Sequence, residues 1–189
     1  AEACLQAARA AGIGRVLLAS SAAVYGVDPQ GRPFAEDSTP APLSAYGRAK
    51  LAMEAVADPF RAAGLQVCAL RIGNVAGADA LLHPLTAALG QPGPRSPVDL
   101  HGFADGQGPL RSYIGVKTLA RVLADLAHGP APLPAVLNLA APRPLRMQAL
   151  AQAAGWPCRR VPAPAGAHQV ITLDCRRLAA QVALTEDDS

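Results

Sequence analysis

Tyr46 and Lys50 stand four residues apart in the segment AYGRAK. In a helix, side chains at this spacing share one face, so the ammonium of Lys50 would lie beside the phenol of Tyr46. An ammonium about 4 Å away at an effective dielectric of about 20 is worth roughly 4 kcal/mol. Because about 1.4 kcal/mol corresponds to one pKa unit, Lys50 could bring Tyr46 from its ordinary pKa toward neutrality, where general acid–base catalysis works best. Taken alone, the pair also fits a surface helix.

Two further polar side chains stand where predicted strands end. Ser21 follows the apolar run RVLLAS, and Asn74 follows the run QVCALRI within LRIGNVAG. Ligands of open parallel sheets bind beyond the carboxyl ends of the strands. The hydroxyl of Ser21 could therefore hold the same substrate oxygen that Tyr46 protonates or deprotonates. Each residue alone could be a strand cap or a turn residue, but the three in this order predict one site.

The elements that must carry these residues alternate along the chain. Helical spacing of apolar residues predicts helices over 1–11 and 44–57, and apolar runs predict strands over 15–20 and 66–72. The strand over 15–20 is expected to be buried on both faces, as in a parallel sheet. Ser44 caps the second helix, whose inner stripe is predicted to be Tyr46, Ala49, Met53 and Val56. This order indicates a parallel α/β sheet.

The rest of the chain continues the pattern with longer irregular stretches. The loop over 26–43 is rich in Pro, Gly, Asp and Ser, and loops of this length are often functional. Residues 78–110 are predicted to be irregular apart from a short helix near 81–89. The remaining predicted elements are helices over 116–127, 145–154 and 176–183 and strands over 135–140 and 171–173. Val116, Leu119, Ala120, Leu123 and Leu126 are expected to line one face of the first of these helices.

Composition limits the function classes. The chain has 189 residues, 51% of them hydrophobic, which is enough for one domain or for one domain with a small lobe. The net charge of +3 is carried by dispersed residues, so a nucleic-acid surface is not expected. An apolar run of about 18 residues is absent, so the sequence predicts no membrane span. The four cysteines and four histidines are scattered, which predicts no metal site and no oxidising compartment, and so a cytoplasmic protein.

The same residues resemble the motifs of the extended short-chain dehydrogenase/reductase family, the NAD(P)-dependent epimerase/dehydratase group. The resemblance covers nearly the whole chain, and the combination of motifs is specific. The matching blocks, in chain order, are SSAAVYG, EDSTPAPLSAYGRAK, LRIGNVAG, RSYIGVKTLA and AVLNLA.

The resemblance implies roles for individual residues. Ser21, Tyr46 and Lys50 would be the catalytic set, with Tyr46 as general acid/base. Tyr46 and Lys50 would also contact the cofactor, NAD or NADP, with Lys50 on the nicotinamide ribose and Gly73 near the nicotinamide. Ser21, Asn74 and Arg111 would bind a small-molecule substrate, the last two at positions that hold the diphosphate of nucleotide sugars. The implied reaction is a hydride transfer at a hydroxyl or keto group by an epimerase or dehydrogenase/reductase.

The resemblance also implies a fold: a partial, Rossmann-like, doubly wound parallel sheet with a small C-terminal substrate lobe. Residues 1–80 and 113–141 are assigned to the sheet domain, and 81–112 and 142–189 to the lobe. The chain begins without Met inside a helical pattern and contains no GxxGxxG motif. We therefore expect it to be the C-terminal two-thirds of such a protein, and to bind NAD(P) poorly when alone.

Departures from the family pattern keep alternatives open. Ala22 and Ala23 stand where the 4,6-dehydratases of the family carry Asp and Glu, which disfavours that activity. Ser112, Gly115 and Thr118 replace the Asp, His and Asp of the family's Arg111 block, which leaves room for a reductase of another alcohol or ketone. The chain could instead be a catalytically silent dinucleotide-binding or regulatory member, or an inactive fragment. Family members often dimerise through two helices that correspond here to 1–11 and 44–57, so a homodimer is considered.

Overall fold

The computed structural model describes residues 1–79, 81, 95–185 and 188. The described helices are α1 (Glu2–Ala10), α2 (Ala45–Ala55), α3 (Asp58–Ala62), α4 (Val116–His128), α5 (Met147–Ala153) and α6 (Arg176–Ala179). The described strands are β1 (Arg15–Ser21), β2 (Gln66–Ile72), β3 (Asn74–Ala76), β4 (Val98–Gly102), β5 (Leu110–Arg111), β6 (Tyr113–Gly115), β7 (Val136–Leu139), β8 (Leu145–Arg146), β9 (Cys158–Pro162) and β10 (Val170–Ile171). The short helix predicted near 81–89 lies outside the described residues except for position 81.

The main sheet has the strand order β1-β2-β7, and both pairs are parallel. Its core packs against α4, where Leu70, Leu137 and Leu139 meet Val122 and Leu126. In the sheet register Ser21 pairs with Ile72, the residue before Gly73. The carboxyl ends of β1 and β2 therefore lie side by side, as a parallel α/β sheet requires, and the predicted fold class is confirmed.

The prediction that β1 is buried on both faces is wrong. Strand β2 is buried along nearly its whole length, whereas β1 has half-buried residues from Arg15 to Leu17 and an exposed Ala19. The physical reason is position: β2 lies between two strands, but β1 ends the sheet among the residues described. Apolar content along a strand did not distinguish a central strand from an outer one.

The predicted inner stripe of α2 is wrong for two of its four residues: Met53 and Val56 pack against the core, but the other two do not. Tyr46 is 56% exposed and Ala49 is exposed, while the buried positions of this helix are Gly47 and Glu54. Glu54 turns inward because Arg71 lies in the sheet as its ion-pair partner. Gly47 faces inward because, without a side chain, it can lie directly against the backbone of Ala23.

Three smaller sheets are present among the described residues. β3 pairs with β6, β4 pairs with β9, and β5 lies between β10 and β8. The separate apolar cluster beside β4 contains Leu81, Leu100, Met147 and Leu150.

The helix predicted over 145–154 is shorter than expected because Leu145–Arg146 pairs with β5. Along α4, Val116 and Ala120 are exposed instead of lining the core face. That face is formed by Leu119, Val122, Leu123 and Leu126, three of which were predicted. Among the described helices, none is long and apolar enough to cross a membrane.

Candidate active site

Ser21 ends β1 and starts a single 3-10 turn over Ala22–Val24. Its Oγ accepts a hydrogen bond of 3.2 Å from the backbone N–H of Ala23, so the hydroxyl caps the turn. Because this bond uses Oγ as an acceptor, the Ser21 hydroxyl proton stays available for another partner. The capping role and a ligand-binding role are therefore compatible.

Helix α2 begins over this turn. The Oγ of Ser44 accepts a 3.0 Å hydrogen bond from the N–H of Gly47, which fixes the first turn of the helix and with it Tyr46. A Cβ on Gly47 would collide with the carbonyl oxygen of Ala23. The absence of a side chain at Gly47 thus lets α2 lie directly against the turn that follows Ser21.

Lys50 is held close to Tyr46 and to β1. Its Nζ donates a 2.6 Å hydrogen bond to the carbonyl oxygen of Ala19 and lies 5.6 Å from the centroid of the Tyr46 ring. An ammonium within about 6 Å of a ring face is attracted by the ring quadrupole. The predicted pairing of the two side chains on one helix face is therefore present, at the carboxyl end of β1.

Four of the predicted site residues line one cavity of about 260 Å³. They are Ser21, Gly73, Asn74 and Arg111, joined by Ala22, Ala23, Gly26, Leu43, Ser44, Ile72 and Ile171. Tyr46 and Lys50 are not part of this lining; they lie on α2, the helix that follows Ser44. The small residues after Ser21 leave this side of the cavity without a carboxylate.

Gly73 connects β2 to β3 at the base of the cavity. A Cβ at this position would stand 2.6 Å from the carbonyl oxygen of Ser112. That carbonyl accepts a 2.9 Å hydrogen bond from the N–H of Asn74, which joins β3 to β6. The close approach of the two backbones therefore requires glycine, and it places Asn74 beside the segment that carries Arg111.

Arg111 is anchored by backbone oxygens. Its Nη1 donates to the carbonyls of Leu110 and Gln169 at 2.8 Å each, and its Nη2 donates to His168 at 2.7 Å. Burial lowers the pKa of Arg111. A guanidinium has five N–H donors, so three of them are used by carbonyls and two can serve a ligand in the cavity.

A buried ion pair behind the site was not predicted from the sequence. The carboxylate of Glu54, on α2, binds the guanidinium of Arg71, on β2, with Nη2 2.8 Å from Oε2 and both side chains at most 7% exposed. The Oγ of Ser20 donates a 2.5 Å hydrogen bond to the same carboxylate. Burial opposes the charge of Arg71, but its bonds to Glu54 and Tyr25 raise its pKa overall. The sequence did contain a signal for this ion pair: Glu54 and Arg71 carry opposite charges at positions where the pattern of their elements is otherwise apolar.

The network continues through Tyr25, whose ring lies 4.7 Å from the Arg71 guanidinium carbon. The Tyr25 hydroxyl donates to Oδ1 of Asn138 at 2.7 Å, and burial raises the pKa of Tyr25. The Nδ2 of Asn138 donates to the carbonyls of Phe34 and Asp174. The backbone N–H of Asn138 donates to Glu36. Strand β7 is thereby joined to the long loop that follows the Ser21 turn.

Comparisons with known proteins agree with this geometry. The family model described as the NAD dependent epimerase/dehydratase family matches residues 2–107. The UDP-glucose 4-epimerase of Azospirillum brasilense is 40% identical over 100 residues, which are 52% of this chain and 25% of that protein. The UDP-glucose 4-epimerase of Streptomyces lividans is 34% identical over 129 residues, 61% of this chain and 39% of that protein.

Solved structures match over more of the chain. MoeE5 in complex with UDP-glucuronic acid and NAD superposes with a TM-score of 0.74 and 29% identity, covering 97% of this chain and 63% of MoeE5. The UDP-glucose 4-epimerase from Brucella ovis in complex with NAD gives a TM-score of 0.76 and 26% identity, covering 96% of this chain and 62% of that chain. This chain therefore spans less than two-thirds of the length of these proteins, and its sheet is the Rossmann-like sheet that they contain.

Proposed function

The chain belongs to the NAD-dependent epimerase/dehydratase family, and from this we propose that its protein is an NAD-dependent epimerase of a nucleotide sugar. The substrate hydroxyl would be bound at the cavity of Ser21, Gly73, Asn74 and Arg111. The observation that carries the proposal is the position of this cavity. It opens at the joint carboxyl ends of β1 and β2, beside the helix that bears Tyr46 and Lys50.

Tyr46 is the proposed general acid/base. It takes the proton of the sugar hydroxyl as the carbinol carbon is oxidised and gives it back as the carbon is reduced. The ammonium of Lys50 lies 5.6 Å from the centroid of the Tyr46 ring, and the Ala19 carbonyl keeps that ammonium in place. The hydroxyl of Ser21, which is not used as a donor in capping its turn, holds the reacting oxygen.

The residues present fit the nicotinamide–ribose end of the cofactor. Lys50 has three N–H donors and gives one to Ala19, so donors remain for ribose hydroxyls. Gly73 lines the cavity at the end of β2 and brings no side chain into it. Bound NAD would supply the hydride acceptor and donor for the carbinol carbon.

Arg111 and Asn74 are the proposed ligands of the substrate diphosphate. Arg111 keeps two donors beyond those that anchor it, and a planar guanidinium can bind two phosphate oxygens at once. Ala22 and Ala23 line the cavity where elimination chemistry would need an additional acid and base. We therefore favour epimerisation over dehydration. Two relatives named UDP-glucose 4-epimerase and a neighbour bound to UDP-glucuronic acid identify the first substrates to try.

The test is an epimerase assay on the complete gene product with UDP-glucose, UDP-galactose and UDP-glucuronic acid. Formation of the epimer is followed by chromatography, for wild type beside Tyr46→Phe. Tyr46→Phe removes only the phenolic oxygen, so NAD binding should be retained while turnover falls by at least about 10²-fold, the usual contribution of a general acid/base.

The outcomes separate the alternatives. If wild type interconverts one of these sugars and Tyr46→Phe binds NAD but does not react, the proposal holds. If both proteins bind NAD equally and neither reacts with any sugar, a silent dinucleotide-binding member is the better description. If wild type instead oxidises a sugar or another alcohol with net accumulation of NADH, the protein is a dehydrogenase.

A further inference from the structure

Glu54 continues the series of Tyr46 and Lys50 on α2 at the same spacing of four residues. Successive positions at this spacing lie close to one face of a helix. The face changes character along its length: Tyr46 is 56% exposed, whereas Glu54 is 6% exposed and points into the sheet. The inner end of the helix face that carries the acid/base is therefore fixed by a carboxylate.

That carboxylate contacts two of the other elements that form the site, β1 and β2. Ser20, which donates to Oε1 of Glu54 at 2.5 Å, is the residue before Ser21. Arg71, which binds both carboxylate oxygens at 2.8 to 3.2 Å, is two residues before Gly73. One side chain thus joins α2 to the ends of β1 and β2, through residues next in sequence to Ser21 and Ile72, which line the cavity.

The attachment is directional as well as strong. Three N–H···O contacts from a planar guanidinium and one O–H···O contact leave the carboxylate little freedom to rotate. An apolar contact at the same place would tolerate sliding of the helix along the sheet, because apolar attraction has no preferred direction. Replacing buried ion pairs with apolar residues often leaves stability unchanged or improved, so stability alone does not account for this pair.

We propose that Glu54 is a positioning residue, which holds Tyr46 and Lys50 in register with Ser21 by joining α2 to the ends of β1 and β2. The inference rests on the proposed function for its catalytic part. A displacement of about 1 Å between reacting groups can reduce turnover about 10²-fold. Loss of the Glu54 attachment should therefore lower kcat and leave substrate binding at Asn74 and Arg111 almost unchanged.

The first experiment compares Glu54→Gln with wild type in the complete gene product. We expect kcat to fall about 10- to 100-fold while KM for the nucleotide sugar and the Kd for NAD change less than about threefold. Leu126→Ala is the stability control, since Leu126, on α4, is 3% exposed in the core and does not line the cavity. Activities are compared per folded molecule. An unchanged kcat in Glu54→Gln, or an equal fall in Leu126→Ala, would overturn the proposal.

A double variant separates position from stability. Glu54→Leu combined with Arg71→Met replaces the ion pair by apolar residues of similar size, which can restore the folded state even if Glu54→Gln is unstable. If Glu54 positions the site, kcat stays low although Tm returns toward wild type. If the pair only stabilises the fold, kcat returns together with Tm, and the proposal is wrong.

Hydrogen exchange gives a measurement that does not require activity. In Glu54→Gln, we expect faster amide exchange in peptides covering α2 and the turn over residues 20–24, with exchange in α4 unchanged. Leu126→Ala should show the reverse pattern. If wild type epimerises none of the sugars, the proposed function fails, and this measurement still decides whether Glu54 fixes α2 against the sheet. Unchanged exchange in α2 and in residues 20–24 would refute the inference.

Discussion

The Arg111 guanidinium is held by three backbone carbonyl oxygens, those of Leu110, His168 and Gln169. Lys50 is held in a similar way by the carbonyl oxygen of Ala19. In both cases backbone acceptors use some N–H donors of the cation and leave others for a ligand. The two cations of the candidate site are therefore oriented before any ligand binds, which reduces the conformational entropy lost on binding.

Replacing Arg111 with Lys should weaken substrate binding although the charge is kept. A single ammonium cannot donate to three carbonyls and still present two donors to a diphosphate. Loss of a hydrogen bond to a charged group costs about 1.5–3 kcal/mol, so KM for the nucleotide sugar should rise at least about 10-fold. Steady-state kinetics on Arg111→Lys check this, with Arg48→Lys on the exposed side of α2 as a matched control. Equal KM values for Arg111→Lys and wild type would contradict a role in substrate binding.

Helix α2 depends on two local features at its start. Ser44 provides the cap, and Gly47 provides the close contact with the Ala22–Val24 turn. Tyr46 lies between them in the first helical turn, where a helix would otherwise fray. The position of the proposed acid/base is thus set by neighbours that take no part in the chemistry.

Gly47→Ala should destabilise the protein, although a Gly-to-Ala change within an exposed helix stabilises by up to about 1 kcal/mol. The added Cβ would collide with the Ala23 carbonyl oxygen, so α2 must move away from the turn. Overpacking of this kind costs about 1–3 kcal/mol. Thermal unfolding measures the sign, and a higher Tm for Gly47→Ala than for wild type would disprove the contact.

Removing the cap at Ser44 should reduce both stability and turnover. Ser44→Ala loses the bond to the Gly47 N–H, at a cost of about 1 kcal/mol. Ser44→Thr keeps a capping hydroxyl and should restore most of the loss. Thermal unfolding and kcat of the two variants, measured side by side, test the idea; equal effects of the two substitutions would show that the cap is not what matters.

At the scale of helices and strands, the sequence predicted where each element lies along the chain better than which of its faces is buried. The bounds of α1, α2, β1, β2 and β7 follow from caps and apolar runs in the chain itself. The buried face of α2 could not be read in the same way, because Glu54 is stabilised inside by Arg71, a residue on another element. Strands β4 and β9 were missed because each gains its pairing from a distant segment.

Across the whole molecule, the pairing of parallel strands brings the candidate site together. Ser21, Gly73 and Asn74 come from β1, the end of β2 and β3, and the sheet register places their segments at one edge. The sequence motifs predicted that these residues lie close together, since the carboxyl ends of parallel strands lie on the same side of the sheet. The network through Tyr25, Asn138 and Glu36 was not predictable, because each contact spans about 100 residues of chain or more.

The burial of ionisable thiol and phenol groups also makes the free energy of unfolding decrease at alkaline pH. Burial raises the pKa of Cys68 and of Cys175 from 9.0 to about 12, and that of Tyr113 from 10.0 to about 12. Above about pH 9 the unfolded chain loses protons that the folded chain keeps, so the folded state binds more protons. The free energy of unfolding must then fall as pH rises.

The stabilisation from neutral Cys68 is complete below pH 9 and is lost as pH approaches 12. The slope for one such group is about 1.4 kcal/mol per pH unit. Urea unfolding at pH 8 and pH 10.5, with a reductant present, should show a lower midpoint at the higher pH. Cys68→Ala, which lacks this ionisable thiol, should lose less stability over the same interval. A midpoint that is constant from pH 8 to 10.5 in wild type would mean that these groups ionise as easily in the folded protein as in the unfolded chain, and that the core around β2 is open to water.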